Sequence, residues 1–226
     1  MLLLRHISVA LGAAVVALGS AIFIALNYFY PRRRRRLRIW SPEAHYSVIK
    51  EDEEDPGKRR VLVLGLDGAG KSSMLQGLTP GGTKRGCCRP TRGFNFMSFT
   101  VSACQLDFLE IGGGEELRRY WAEYLIKTHV LVYVVDSSDR GRLPAAKLEL
   151  HRLLETRPNL PVVVMGNKQD KPEAVSISEL HQALSLGSVA EERKLFLLAA
   201  QLASDGAQRN SCQGLQAFQN LLLQLV

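Results

Sequence analysis

The sequence predicts a three-layer α/β domain with a mostly parallel sheet, preceded by one transmembrane helix. Aliphatic runs typical of buried strands alternate with helical stretches, as in domains that pack helices on both faces of a sheet. Two of these runs, Val61–Leu64 and Pro161–Gly166, lead directly into polar loops. A stretch of 24 residues without charge, residues 7–30, predicts the membrane helix.

Composition and charge exclude several classes of protein. The 226 residues are 46% hydrophobic and 23% charged, which excludes wholesale disorder and suits one domain with an appendage. Residues 1–40 hold seven arginines and no acidic residue, so they account for the whole net charge of +7. The rest is electrically balanced, and we expect no nucleic-acid partner. The four cysteines lack Cys-x-x-Cys spacing, so we expect reduced thiols.

The apolar stretch at residues 7–30 is long enough to cross a bilayer, because 24 helical residues would span about 36 Å. Five arginines at positions 32–36 follow it. The positive-inside rule then places the rest of the chain in the cytosol. The rule leaves the membrane open, whether that of the endoplasmic reticulum, the mitochondrial outer membrane or another. The alternative is a cleaved signal peptide, which the length of the stretch and the position of the arginines disfavour.

Composition divides the chain into three segments. Residues 1–30 are the predicted anchor, residues 31–58 are a linker that is first basic and then acidic, and residues 59–226 are the globular domain. Within that domain, helices are predicted at Lys71–Leu78, Leu143–Glu155, Ser178–Leu184 and Leu215–Leu225, with a polar loop at residues 203–213.

The segment Gly65–Ser72, which we name the phosphate loop, follows a strand and matches the full pattern of a phosphate-binding loop. Its glycines let backbone N–H groups turn toward phosphate oxygens, and the helix that follows adds its N-terminal dipole. Lys71 is predicted to bind the β- and γ-phosphates, and the Ser72 hydroxyl to ligate Mg²⁺. Such loops accept ATP and GTP alike, so the base must be selected elsewhere.

The segment Asn167–Asp170, which we name the base loop, follows the second aliphatic run. The Asp170 carboxylate only accepts hydrogen bonds, and it can take both N1–H and N2–H₂ of guanine, a donor pair that adenine lacks. Lys168 is predicted to lie over the base, and Asn167 to tie the base loop to the phosphate loop. This pattern favours guanine nucleotides and opposes an ATPase or kinase.

Six segments keep the order and spacing of one family: Gly65–Ser73, Pro90–Asn95, Ile111–Gly113, Leu117–Trp121, Val134–Arg140 and Asn167–Asp170. Over residues 59–226 the chain resembles the ADP-ribosylation-factor-like (Arf-like) small GTPases, which are P-loop NTPases. The resemblance implies a molecular switch that takes GTP, GDP and Mg²⁺. It also implies an atypical branch, because Leu2 stands where the family has a myristoylated glycine.

The resemblance implies a role for each matched position. Thr91 would ligate Mg²⁺ when its segment closes over the site, and the Gly113 N–H would contact the γ-phosphate. The implied phosphate-binding residues are Asp67, Gly68, Ala69, Gly70, Lys71, Ser72, Ser73 and Gly113, those for the base are Asn167, Lys168, Asp170 and Ala200, and those for the metal are Ser72, Thr91 and, through a water, Glu110.

The resemblance also implies partners. Phe94–Val101 and Cys104–Ile111 are predicted to form the hairpin between the family's two switch segments. Phe94, Leu109 and Tyr124 occupy the positions of its aromatic effector-binding triad, with Leu109 in place of a tryptophan. Effectors, an exchange factor and an activating protein are therefore the implied partners.

Three departures from the family bear on chemistry. Glu110 replaces an aspartate, so Mg²⁺ coordination is predicted to be altered. Gly114 replaces the glutamine that orients the attacking water, so the catalytic residue is unknown and hydrolysis is predicted to be slow. A shift of one residue would bring Glu115 near the γ-phosphate, which charge repulsion disfavours. Arg92 either assists the phosphates or faces solvent. The alternative function is a non-hydrolysing pseudo-GTPase membrane scaffold.

Overall fold

The computed structural model describes residues 57–78, 91–101, 104–190, 193–200 and 208–225, which all belong to one compact unit. Within these ranges the strands form a six-stranded sheet in the order β2-β3-β1-β4-β5-β6. The strands are β1 (Lys58–Leu64), β2 (Phe94–Val101), β3 (Cys104–Ile111), β4 (Val130–Asp136), β5 (Val162–Asn167) and β6 (Leu195–Ala199).

The pairing of the strands confirms the predicted mostly parallel α/β sheet. β1 pairs in parallel with both β3 and β4, and β4, β5 and β6 continue in parallel. Among the described strands only β2 runs antiparallel, against β3, with Phe94 opposite Ile111 and Val101 opposite Cys104. The predicted hairpin between the switch segments therefore has the bounds that the sequence indicates.

Burial explains the composition of the strands. β4 and β5 are continuous aliphatic runs because both of their faces are covered, and Val130–Val135 is buried throughout. β2 lies at the edge of the sheet, and its Phe96, Ser98 and Thr100 are exposed while the residues between them are partly buried. That alternation is typical of a strand with one covered face.

Seven helices lie between the described strands or follow them: α1 (Lys71–Gly77), α2 (Glu115–Arg118), α3 (Trp121–Tyr124), α4 (Leu143–Thr156), α5 (Ile177–Ala183), α6 (Gly187–Ala190) and α7 (Gln208–Leu225). A 3₁₀ turn at Arg140–Arg142 precedes α4. Helix α5 begins with a capping box, in which Ser176 accepts from the Glu179 N–H and Glu179 accepts from the Ser176 N–H.

One predicted boundary is wrong. The sequence predicts a polar loop at residues 203–213 and a helix from Leu215, whereas α7 already begins at Gln208. The part of that loop before residue 208 lies outside the described residues. Polar residues such as glutamine and arginine are good helix formers, so polarity alone does not mark a loop.

The predicted localisation, a single-pass membrane protein, is corrected. Across the described ranges, no helix has the length and apolar character that crossing a membrane requires. The predicted span itself, residues 7–30, and the linker up to residue 56 lie outside the described residues.

Helix α7 covers one face of the sheet. Its Phe218 and Leu222 are buried in a cluster with Val61 and Val63 of β1 and with Met74 of α1. The C-terminal helix therefore completes the core beneath the phosphate loop.

Replacing Phe218 with alanine should lower the free energy of unfolding by about 3–5 kcal/mol, the usual cost of removing a buried phenyl ring. Leu223→Ala is the matched control on the same helix, because Leu223 is 39% exposed, and it should cost less than about 1 kcal/mol. Denaturant unfolding measures both variants. Equal losses would contradict the packing of α7 against the sheet.

Candidate nucleotide site

The predicted motifs meet at one edge of the sheet. β1, β4 and β5 are parallel neighbours that end at Leu64, Asp136 and Asn167, so the loops that follow them lie side by side. Open α/β sheets form their ligand sites in the crevice outside the carboxyl ends of the strands.

Two glycines let other segments approach the phosphate loop closely. Gly65 has φ of 141° and Gly70 has φ of 93°, a region that residues with a Cβ rarely adopt. A Cβ on Gly65 would lie 2.1 Å from the Val134 carbonyl oxygen, and one on Gly70 would lie 2.2 Å from Asn167 Nδ2. These positions therefore require glycine on both steric and conformational grounds.

Lys71 turns its ammonium group back into the loop. Its Nζ donates to the carbonyl oxygens of Gly65 at 2.8 Å and Leu66 at 3.0 Å. Burial lowers the pKa of Lys71 from 10.5 to about 8, against the opposing effect of the carboxylates of Glu110 and Asp67. A buried ammonium held mainly by neutral carbonyls is suited to bind an anion. Helix α1, which starts at Lys71, has no side-chain cap.

Three side-chain oxygens from three segments meet beside α1. Ser72 Oγ lies 2.9 Å from Thr91 Oγ1, and both hydroxyls donate to Glu110 Oε1, at 2.6 and 3.1 Å respectively. Asn95 Nδ2 donates to Glu110 Oε2 at 3.4 Å. Glu110 is only 1% exposed. Hydroxyl and carboxylate oxygens are the ligands that Mg²⁺ prefers, so the donor set fits that ion.

The base loop contacts the phosphate loop as predicted, because Asn167 Nδ2 donates to the Ala69 carbonyl at 2.8 Å. Asn167 Oδ1 is buried and has no hydrogen-bond partner among the described residues. Asp170 is exposed. The Ala200 N–H, a predicted base contact, donates to the Gly166 carbonyl at 2.9 Å. To donate to a base oxygen as well, this N–H would have to form a bifurcated hydrogen bond.

Lys168 adopts a left-handed φ of 62° and forms an ion pair with Asp136, with Nζ 2.5 Å from Oδ2. Burial pushes the pKa of Asp136 upward, but hydrogen bonds from Lys168 and Ser138 outweigh burial and hold this pKa below its ordinary value. The sequence analysis missed Asp136 as the partner of Lys168, because the two residues are 32 positions apart.

Gly112–Gly114, which we name the glycine run, follows β3 and lies against the phosphate loop. A Cβ on Gly113 would lie 2.2 Å from the Asp67 nitrogen, and one on Gly112 would lie 2.3 Å from the Thr91 carbonyl oxygen. The structure thus brings Gly113 and Thr91, which are predicted to sense the γ-phosphate, to the same side of the phosphate loop.

Gly114 differs from its two neighbours, because it lies in open space. A Cβ there would meet its nearest neighbour, Glu116 Oε1, at 3.9 Å, and the backbone has ordinary dihedral angles of −61° and 149°. Glu115 and Glu116 begin helix α2 and are exposed, and Arg92 is exposed too. Among the described residues, no hydrogen bond fixes any of these three side chains at Gly114, the position where the family has its water-orienting glutamine.

Comparison with known proteins identifies the family. The model of the ADP-ribosylation factor family matches residues 46–218. This chain belongs to the ADP-ribosylation factor family. It is 41% identical to mouse ADP-ribosylation factor-like protein 10 over 219 residues, which cover 88% of each chain. It is 42% identical to human ADP-ribosylation factor-like protein 9 over 167 residues, covering 74% of this chain and 88% of the relative.

A solved structure shows the same fold. The Arl6 small GTPase from Trypanosoma brucei, determined with a bound nucleotide analogue, matches with a TM-score of 0.62 at 23% identity. The match covers 75% of this chain and 99% of that one. The six-stranded α/β sheet is therefore the small GTPase fold. Family members are GTP-binding switches that bind guanine nucleotide and interact with regulators and effectors.

The predicted effector triad of this Arf-family protein is mostly covered. Leu109 is 4% exposed and Tyr124 is 9% exposed, while Phe94 is partly buried. Phe96, which lies opposite Leu109 in the hairpin, exposes 56% of its surface. The sequence analysis missed Phe96, although the alternation of Phe94 and Phe96 along an edge strand could have indicated it.

Two further arginines that the sequence analysis did not single out contact the phosphate loop. Arg142 Nη1 lies 3.2 Å from Asp67 Oδ1, and Arg118 Nη2 lies 3.7 Å from the same oxygen. Arg118 also donates from Nε to the Gly113 carbonyl at 2.9 Å. Both arginines are distant in sequence from Asp67, so no local pattern indicates these contacts.

Replacing Lys71 with methionine should stabilise the nucleotide-free protein at pH 7, because the folded wild type buries a charged ammonium there. The folded pKa of about 8 lies below the ordinary 10.5, so between these values the unfolded wild type binds more protons and its stability rises with pH. The advantage of methionine should therefore shrink as pH rises from 8 toward 10. Thermal unfolding across this range measures it, and a constant difference would contradict the lowered pKa.

Proposed function

We propose that residues 59–226 of this Arf-family protein form a switch domain that binds GTP or GDP with Mg²⁺ and hydrolyses GTP slowly. One observation carries the proposal: Thr91 and Gly113, from two separate segments, both lie against the phosphate loop, while the neighbouring Gly114 supplies no side chain. Thr91 and Gly113 suit a site that senses the terminal phosphate. Gly114 lacks the side chain that would orient a water molecule.

The phosphate loop would hold the phosphates through its backbone. The proposed donors are the N–H groups of Asp67–Ser73, at the uncapped start of α1, together with the Lys71 ammonium. Lys71 already lies against the carbonyls of Gly65 and Leu66, so the loop itself orients its ammonium group.

Mg²⁺ would be held by the hydroxyls of Ser72 and Thr91, with Glu110 in support. Both hydroxyls donate to the Glu110 carboxylate, which leaves their lone pairs available to a metal. Glu110, one methylene longer than the family's aspartate, thus reaches both hydroxyls directly. When bound, Mg²⁺ would neutralise phosphate charge.

The base loop would select guanine. Asp170 is exposed at the rim of the site, where its carboxylate is open to the two guanine donors. Asn167 links the base loop to the phosphate loop, and Asp136 holds the Lys168 ammonium group so that its aliphatic stem can lie along the base.

Slow hydrolysis follows from Gly114. Phosphoryl transfer by small GTPases depends on positioning the water and on electrostatic stabilisation, and a glycine does not position a water through a side chain. The same feature favours a second candidate function, a pseudo-GTPase scaffold that binds nucleotide without hydrolysing it. Measuring hydrolysis in a single turnover distinguishes the two functions.

Effectors and regulators would bind at the hairpin of β2 and β3 and at the segments next to it, which contain Thr91 and the glycine run. Phe94 and the exposed Phe96 offer apolar surface on the edge strand β2, whereas Leu109, which lies opposite Phe96, and Tyr124 are buried. Aromatic side chains are enriched in protein interfaces, which supports this placement.

Replacing Asp170 with asparagine should reverse base preference from GTP to xanthosine triphosphate. The variant amide offers a donor to the xanthine 2-oxo group, but it keeps only one acceptor oxygen and so no longer accepts from both guanine donors with two oxygens. Calorimetry with the two nucleotides measures the change. Glu173→Gln, which removes a negative charge from an exposed residue close by in sequence, should leave the preference unchanged. Unaltered GTP affinity in the Asp170 variant would refute the assignment.

Replacing Gly114 with glutamine should raise the hydrolysis rate by about tenfold or more, equivalent to lowering the barrier by about 1.4 kcal/mol. The open space and ordinary backbone at Gly114 accept the side chain. Wild-type protein should hydrolyse GTP at or below about 10⁻⁴ s⁻¹, the unassisted rate of a small GTPase that has the glutamine. Single-turnover assays measure both rates.

Glu115→Gln serves as the control for the register of the glycine run, and it should not change the rate. Unassisted wild-type turnover of about 10⁻² s⁻¹ or faster would contradict the proposal and direct attention to Glu115.

A further inference from the structure

The glycine run combines a backbone that is free to rotate with contacts that hold it still. Glycine has access to more backbone conformations than any other residue, so peptide groups between consecutive glycines reorient easily. Two side chains hold these peptides here. Trp121 Nε1 donates to the Gly112 carbonyl at 3.1 Å, and Arg118 Nε donates to the Gly113 carbonyl at 2.9 Å.

Fixing a carbonyl also fixes the next N–H. In a planar trans peptide the C=O of one residue and the N–H of the following residue point in opposite directions, and the described backbone contains no cis peptide. Trp121 therefore directs the Gly113 N–H away from the indole, and Arg118 directs the Gly114 N–H away from the guanidinium. Neither N–H donates to a described residue.

Gly113 lies against the part of the phosphate loop that holds the Lys71 ammonium group. A Cβ on Gly113 would come within 2.4 Å of the Gly65 carbonyl oxygen, which is the oxygen that accepts from Lys71 Nζ. Gly113 is buried, and a buried N–H without an acceptor is costly. An anion held by Lys71 would satisfy it.

Both holding side chains are themselves fixed. Trp121 is 1% exposed, and its ring packs edge-on against Tyr133 with the centroids 6.4 Å apart. Arg118 forms ion pairs with Asp67 of the phosphate loop at 3.7 Å and with Glu149 of α4 at 3.8 Å. The two peptides are thus anchored to the aromatic core and to the phosphate loop.

We propose that Trp121 and Arg118 are positioning residues that hold the two peptide groups on either side of Gly113, orient the Gly113 N–H toward the γ-phosphate of GTP, and thereby set the preference for GTP over GDP. This inference rests on the proposed function, since it requires a nucleoside triphosphate at the phosphate loop. GDP lacks the γ-phosphate, so its affinity does not depend on this N–H group.

The test compares Trp121→Phe and Arg118→Met in the full chain. Phenylalanine keeps an aromatic ring without the indole N–H, and methionine keeps an apolar stem without the guanidinium. The dissociation constants of GDP and of a non-hydrolysable GTP analogue are measured by displacement of a fluorescent nucleotide. Each variant should bind the analogue about tenfold more weakly, at the lower end of what a hydrogen bond to a charged group contributes, with GDP affinity within about twofold of wild type.

Each variant has a matched control. Tyr133→Phe removes a buried hydrogen bond, from Tyr133 Oη to the Ala146 carbonyl at 3.0 Å, in the same aromatic pair without touching the glycine run. Arg152→Met removes another arginine that pairs with Glu149, at 3.6 Å. Both controls should keep the wild-type ratio of analogue to GDP affinity.

If the variants bound GDP and the GTP analogue more weakly by the same factor, the two side chains would have a purely structural role and the inference would be overturned. Affinities for both nucleotides equal to those of the wild type would overturn it as well. Wild-type protein that binds neither nucleotide would overturn the proposed function and this inference together. Wild-type protein that prefers the analogue, with variants that keep this preference, would overturn the inference alone.

Discussion

The site depends on the close approach of neighbouring segments to the backbone of the phosphate loop. At Gly65, Gly70 and Gly113 a Cβ atom would come within 2.1 or 2.2 Å of an atom from β4, from the base loop or from the phosphate loop itself. Any side chain at these positions would push the segments apart. Since the three contacts converge on one short loop, a displacement of the loop is transmitted to the base loop and to the glycine run together.

The close packing also determines the electrostatic environment of the Lys71 ammonium group. The loop encloses the Lys71 ammonium so fully that burial lowers its pKa to about 8 despite two nearby carboxylates. An anionic ligand would favour the charged form of the amine, so binding of phosphate and protonation of Lys71 support each other. Glu110 contributes to the same balance, since its carboxylate is buried beside Lys71 while accepting from two hydroxyls.

The sequence predicts which segments meet at the edge of the sheet, because each motif is a local pattern at the end of a strand. The sheet, the hairpin and the contact of Asn167 with the phosphate loop were predictable on that basis. The contacts of long side chains were not predictable from the sequence. The contacts of Arg118 and the ion-pair partner of Lys168 depend on how elements distant in sequence pack together, and the sequence pattern does not indicate that Leu109 is only 4% exposed.

The departures at Glu110 and Gly114 have different physical consequences. Glu110 retains a carboxylate, and the surrounding hydroxyls of Ser72 and Thr91 accommodate its extra length by bonding to it directly, so the oxygen cluster stays intact. Gly114 removes a side chain, and among the described residues the nearest atom to its missing Cβ is Glu116 Oε1 at 3.9 Å, while Glu115 is exposed. Contacts that sense a terminal phosphate need only oriented backbone and ligand oxygens, whereas hydrolysis also needs an oriented water. In the proposed function, nucleotide sensing and hydrolysis would therefore rest on separate groups of this chain, so that the first could persist where the second is weak.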